Sequence, residues 1–252
     1  MFFLKKKPIV INAYCSDPTV FHLCKPTHAK YFYPEWWKQI PKTVKMPGSR
    51  YDISTVKSCR GIIDYYKNGI VLPLWHDAII TVGSSTKQMH AVEMAAFNQA
   101  VETLPPNQWN GWISDNKWGH IKFNSPWVFT CDEFVQFAFT DPAYNRDNLH
   151  DYYLLPGIVD YRYQTSTNIN IMVEYRDKER EFLIPAGQPM VNIVPLTDRE
   201  IVIKHHLVTV EEKRKYMSEP VKFRGVYNFF KSKTKEIEAR EKSKCPFGFG
   251  KK

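Results

Sequence analysis

Three consecutive residues, Trp75-His76-Asp77, offer the most suggestive local chemistry in this sequence. They interrupt an apolar run: Ile70-Val71-Leu72-Pro73-Leu74 precedes them and Ala78-Ile79-Ile80-Thr81-Val82 follows. Proline has no amide hydrogen to give a strand ladder, so a strand broken at Pro73 is expected at an edge or a bulge. An Asp that orients an imidazole at such a break suits a binding pocket, with Trp75 as its wall. The same two polar side chains equally suit a plainer task, satisfying the backbone groups of a loop.

A metal centre finds little local support. Alternate residues of a strand point to one side, so a strand-borne site needs His-x-Asp, His-x-Glu or His-x-His. None of the eight histidines has that spacing. His205 and His206 are adjacent and face opposite ways on a strand, and His76-Asp77 shares the defect. His90 and Glu93 pair only on a helix, with no second pair beside them. A metal enzyme would have to join His76 and Asp77 to a distant His120 or His206. No metal and no cofactor is therefore expected. Nucleophilic chemistry is no better served: there is no G-x-S-x-G elbow, and Cys131-Asp132-Glu133 has no local partner. Phosphate-cradling glycine loops are missing too, and Gly248-Phe249-Gly250 is an end rather than a cradle.

Aromatic residues form a second group of candidates. Trp109, Trp112, Trp118 and Trp127 place four of the seven tryptophans within 19 residues. Trp109-Asn110-Gly111-Trp112 could stack a sugar, a base or a proline-rich peptide. Its polar neighbours are not basic, which favours a core and its covering loop over a nucleic-acid platform.

The elements that would position these groups are mostly strands. Pro8 to Tyr14 reads as a first strand stopped by Ser16-Asp17-Pro18. Tyr31 to Gly48 is rich in rings and carries Pro34, Pro41 and Pro47, which exclude a long helix and predict an irregular aromatic arm. Ser54 or Ser58 is placed to cap a short helix through Ile62 to Tyr66, stopped by Asn68-Gly69. Met89 to Leu104 has helix formers, no Pro or Gly, and Met94, Phe97, Val101 and Leu104 at helical spacing, so a helix is predicted there. From 118 to 210 the texture changes to short strand-like runs: 120–124, 127–131, 134–140, 157–163, 169–175, 181–184, 190–195 and 201–208. Strands so closely spaced argue for a sandwich or barrel rather than βαβ units. Glu211 and Glu212 sit at an expected helix start, and Arg224 to Lys244 is predicted as a basic helix.

Charge follows the same division. The chain of 252 residues carries a net +9, from 35 Lys+Arg against 26 Asp+Glu. Residues 1–7 hold +3 and residues 221–252 hold +7, so residues 8–220 are at −1. A neutral body with basic ends argues against a nucleic-acid-binding domain, leaving nucleic-acid or membrane-surface binding only to the 221–252 tail. Five scattered cysteines (15, 24, 59, 131, 245) without a CxxC pair suit a reducing compartment. Cys245-Pro246, a dipeptide seen in haem sensors, is too short to carry weight. Met1-Phe2-Phe3-Leu4 precedes its lysines, the reverse of a secretory signal, and no stretch has the length of a membrane span.

Two stretches resemble known proteins. Trp36-Trp37-Lys38-Gln39-Ile40-Pro41, with Cys59-Arg60-Gly61-Ile62-Ile63-Asp64-Tyr65-Tyr66 running on to Pro73-Leu74-Trp75-His76-Asp77, resembles uncharacterised proteins of tailed phages, notably those of marine cyanobacteria. Arg60 stands where that group usually has Pro. Gly157-Ile158-Val159-Asp160-Tyr161, Asn168-Ile169-Asn170 and Ile184-Pro185-Ala186-Gly187-Gln188-Pro189 are similar to a cupin-like family of unknown function with a jelly-roll fold. The resemblance implies a viral origin and a fold, and it transfers no activity. In the turn, Pro185 fixes φ and Gly187 is free to take φ > 0, as a tight hairpin requires.

The combined expectation is a mainly β, α+β protein: a jelly-roll or cupin-like sandwich over 111–215, an aromatic-rich region 1–110 packed on it, and a basic helical tail 216–252. Its expected role is a non-catalytic structural or interaction module, associated with a virion or acting in the host cytoplasm. Its partners would be viral or host proteins or further copies of itself. The rivals are a cupin-type metal-dependent oxygenase and a tail-borne nucleic-acid or membrane-surface binder.

Overall fold

The computed structural model describes residues 6–88, 90–94, 117–146, 151–217 and 232, together with the backbone of 101–104. In chain order the strands are β1 (Ile9–Cys15), β2 (Thr27–His28), β3 (Thr43–Lys45), β4 (Asp52–Ser54), β5 (Ile70–Pro73), β6 (Ala78–Val82), β7 (His90–Met94) and β8 (Val101–Leu104). They continue with β9 (Trp118–Thr130), β10 (Phe137–Thr140), β11 (Tyr153–Leu154), β12 (Gly157–Val159), β13 (Ser166–Glu174), β14 (Arg180–Ile184), β15 (Pro189–Pro195) and β16 (Ile201–Leu207). Four short helices accompany them: α1 (Pro18–Leu23), α2 (Glu35–Gln39), α3 (Arg60–Lys67) and α4 (Val210–Tyr216).

The protein is mainly β. One large sheet has the order β11-β13-β9-β1-β16, with β8 also paired to β9; another has the order β12-β10-β15-β5-β2. Both sheets combine strands from before and after residue 110. The N-terminal β1 lies between β9, antiparallel to it, and β16, parallel to it. The predicted runs from 118 to 208 recur as β9, β10 and β12 to β16, with 120–124 and 127–131 merged into the single strand β9; the short β11 is not among them. That strand is thirteen residues long and changes neighbours along its length, from β8 at Ile121 and Phe123 to β1 at Val128 to Thr130.

Period-two alternation sets the buried side. Ile9, Ile11, Ala13 and Cys15 of β1, with Ile121, Phe123, Trp127 and Phe129 of β9 and Ile169, Ile171 and Val173 of β13, point one way. They join Leu72, Phe137, Phe139, Val191 and Ile193 of the other sheet in one apolar cluster. Each such large side chain taken out of water stabilises the fold by about 1.5–3 kcal/mol. A smaller cluster, Ala29, Ile62, Tyr66 and Val71, receives Phe32, Tyr33, Trp37 and Tyr65. Here Tyr33 stacks on Trp37 at 4.3 Å and leans on Tyr66 at 4.5 Å. The aromatic arm therefore supplies part of a second core, and its prolines bracket the five-residue α2.

Several local expectations need correction. Met89 to Leu104 is not a helix: its described parts are β7 and β8. β7 pairs with β6 from Ala78↔Met94 to Val82↔His90, and Val92 and Met94 pack against the core while Ala91 and Glu93 are exposed. The waiting edge of β6 and this alternation outweigh intrinsic helix propensity. Neither Ser54 nor Ser58 caps α3; Cys59 holds the N-cap position, while Thr55 caps the preceding 3-10 turn. The stop at Asn68 is as expected. Asp17 caps α1, with Pro18 at its first position. Thr209 and Glu212 form a reciprocal capping box on α4. The predicted helix over 224–244 lies outside the described residues, Ser232 excepted.

Candidate functional site

The corner carrying Trp75, His76 and Asp77 is where the chain leaves one sheet, at β5, and enters another, at β6. β5 pairs with β15, and beyond the break β6 pairs with β14, so residues 74–77 lie opposite residues 185–188. The backbone bonds Leu74 N–H to Gln188 O and Gly187 N–H to Leu74 O, each 2.8 Å, clamp the two turns together. Gln188 N–H donates to Pro185 O at 3.1 Å and Gly187 has φ +84°, which defines a type II turn. The expected use of Gly187 thus holds in conformation but not in topology. β14 and β15 do not pair with each other, so the turn redirects the chain from one sheet to another instead of closing a hairpin.

Each side chain of the corner has a place. Trp75 is buried and meets Phe123 edge-on at 6.4 Å, while its carbonyl accepts from the Cys24 thiol. Asp77 is exposed, and its Oδ1 accepts from Ala186 N–H at 2.7 Å, bracing the opposite turn. His76 is half-buried between them. Two motifs separated by more than a hundred residues therefore form one structural corner.

Beside it lies a cleft of about 220 Å³ lined by Arg146, Asp151, Tyr152, Phe182, Leu183, Ile184, Pro185 and Gln188. Arg146 is nearly buried, pairs with Asp141 through Nη2, and covers the Tyr152 ring at 4.3 Å. Burial raises the Asp141 carboxyl above its usual range, and the neighbouring Arg146 opposes that rise without cancelling it. The Tyr152 phenol is pushed up to about 12, again by burial. Arg180 donates to the carbonyls of Glu174 and Asp151 and lies near the Phe182 ring. Arg146 Nε and Asp141 Oδ1 are buried without a hydrogen-bond partner among the described residues. The cleft can hold a small polar group, but its arginine is already neutralised and its phenol is locked in the protonated form.

The histidines named as distant metal partners are engaged elsewhere. His120 Nε2 is 3.1 Å from Asn170 Oδ1, and His206 Nε2 is 3.0 Å from Asn12 Oδ1, with its ring stacked on Tyr14. His90 bridges Tyr175 OH at 2.7 Å and His120 O at 3.2 Å. Burial lowers the pKa of both His90 and His120. Among the described residues no three His, Cys, Asp or Glu side chains gather as a metal site. Cys131 is buried, and desolvation pushes its thiol up to about 11, the opposite of what a nucleophile requires.

A wider cleft, about 730 Å³, lies where the outer strands β16 and β2 border each other, with Lys6, His28, Lys30, Lys67, Asp198, Arg199 and Glu200 around it. Lys6 pairs there with Asp198, and Arg199 makes a two-pronged bridge to Glu133.

Of the five residues singled out by sequence, Trp75, His76 and Asp77 come together at the corner; Trp109 and Trp112 lie outside the described residues. Trp127 is fully buried core, and Trp118 is half-buried on β9. Sequence reasoning missed the Asp141–Arg146 pair. Its only local signal was Asp141-Pro142 closing a strand, with an arginine five residues on. Compared with protein-family models and with curated proteins, the chain matches none.

Proposed function

We propose that this chain is a non-catalytic interaction module built as a β-sandwich of jelly-roll type. The sandwich reading is supported by two five-strand paths whose buried faces share one apolar cluster. The functional reading rests chiefly on one observation: the groups best suited to chemistry are spent on scaffolding. Asp77 braces a turn, His120 and His206 meet asparagine amides, and Cys131 is buried and protonated. Surface contact is then the remaining mode of action, in keeping with the viral origin that the resemblance to tailed-phage proteins implies.

The experiment is elemental analysis of the full chain purified without chelators. Substoichiometric iron, manganese and zinc are expected. One equivalent of any of them, retained through gel filtration, would overturn the reading in favour of a metal enzyme.

A further inference from the structure

The hairpin of β3 and β4 belongs to neither large sheet. Its turn is Met46-Pro47-Gly48-Ser49, with Ser49 N–H donating to Met46 O at 3.0 Å, proline second and Gly48 third at φ +75°. That is a type II turn with the residues such a turn demands. In the ladder Val44 faces Ile53, while Thr43 faces Ser54 and Lys45 faces Asp52. Because paired residues share a face and successive residues alternate, Val44 and Ile53 stand on one side, and Met46 and Tyr51 continue their row toward the tip. All four are exposed: 39%, 46%, 51% and 80% for Val44, Ile53, Met46 and Tyr51. Thr55 N–H on Lys42 O at 2.9 Å closes the base of the hairpin, and Lys57 Nζ on Lys38 O ties the following turn to α2.

We propose that this hairpin is a docking ridge for an anionic lipid surface. The ridge is apolar, and none of its residues lines either cleft. Its exposed charges are Lys42, Lys45 and Arg50 against a single acid, Asp52, which stands opposite Lys45 in the ladder, so the hairpin is net basic although the body as a whole is not. Exposed apolar side chains on a hairpin of net positive charge are the composition of an interfacial anchor: the apolar row enters the headgroup boundary while lysine and arginine stems lie along it and keep their charges on the phosphates. A second copy would bring like charges face to face. Nucleic acid would meet the cations but leave Val44, Met46 and Ile53 without apolar partners, Tyr51 being the sole ring in the row. This inference names a partner for the interaction module and rests on that reading, which the metal analysis tests separately.

The test uses the full-length chain, sedimented with vesicles of phosphatidylcholine alone and of phosphatidylcholine with about one third phosphatidylglycerol. Binding to the anionic vesicles is expected, weakening as salt rises. The double variants Met46→Ser/Tyr51→Ser and Lys45→Glu/Arg50→Glu should each lose about tenfold in partitioning, with thermal melting unchanged because these side chains are solvent-facing. Absence of binding to anionic vesicles, or equal binding by wild type and both variants, would overturn the proposal. So would a dimer in sedimentation velocity that Met46→Ser/Tyr51→Ser abolishes, or binding of an oligo-dT strand that both variants weaken while vesicles stay unbound.

Discussion

Gly69 and Asn192 show how closely single residues are coupled in this chain. A Cβ on Gly69 would stand 2.1 Å from Asn192 Oδ1, and Asn192 is fully buried, with its Nδ2 donating to Tyr65 O. Gly69→Ala is therefore expected to cost about 2 kcal/mol, as overpacking does. Asn192→Ala in the same chain should return part of that loss, with a coupling above about 0.5 kcal/mol by urea unfolding. Additive effects would show that the two do not meet. Thiol reactivity gives a second test at this scale: Cys15, Cys24 and Cys131 are buried with raised pKa values, whereas Cys59 is exposed. Of these four, only Cys59 should be alkylated in the native state, as peptide mapping by mass spectrometry reads. The sequence made Asn68-Gly69 legible as a helix stop, but not the contact with Asn192, which depends on a strand more than a hundred residues away.

Elements follow the sequence where alternation is long and local, as in β13, or where an apolar run is continuous, as in β15, and depart from it where pairing decides. Met89 to Leu104 carried a helical spacing, yet β6 presents an edge to which His90–Met94 adds as a strand. That docking buries His90 against Tyr175 and the carbonyl of His120. Desolvation holds His90, His120, His28 and His205 below the ordinary histidine value of 6.5 in the folded chain. A depressed folded pKa means that their contribution to stability is complete above pH 6.5 and is lost as pH falls through the lower folded values. Asp141, raised by burial, works the other way: its contribution is greatest below its unfolded value of 3.8 and declines as pH rises through the folded one. The melting temperature is thus expected to fall on acidification from neutral pH toward the carboxylate range. A flat or rising profile over that interval would contradict the buried, neutral histidines.

At the scale of the whole molecule, the mainly β architecture was legible because strand after strand carries its own period-two pattern and turn residues. The interleaving of the first strand between β9 and β16 was not, since nothing local in Ile9–Cys15 names its neighbours. The net charge of the body is a near-neutral sum that conceals a local excess of bases over residues 42–57, which the fold places in and beside the β3–β4 hairpin. The corner was found by its residue types, and its meaning changed with the fold, because Asp77 points across to the turn that the second motif builds. The account's central claim is that such chemistry-bearing residues hold the structure. It is tested most directly by the urea-unfolding midpoint of Asp77→Ala. The lost bond to Ala186 N–H should lower stability by about 1 kcal/mol at an unchanged slope. A raised midpoint, the mark of relieved strain at a site kept for activity, would contradict it.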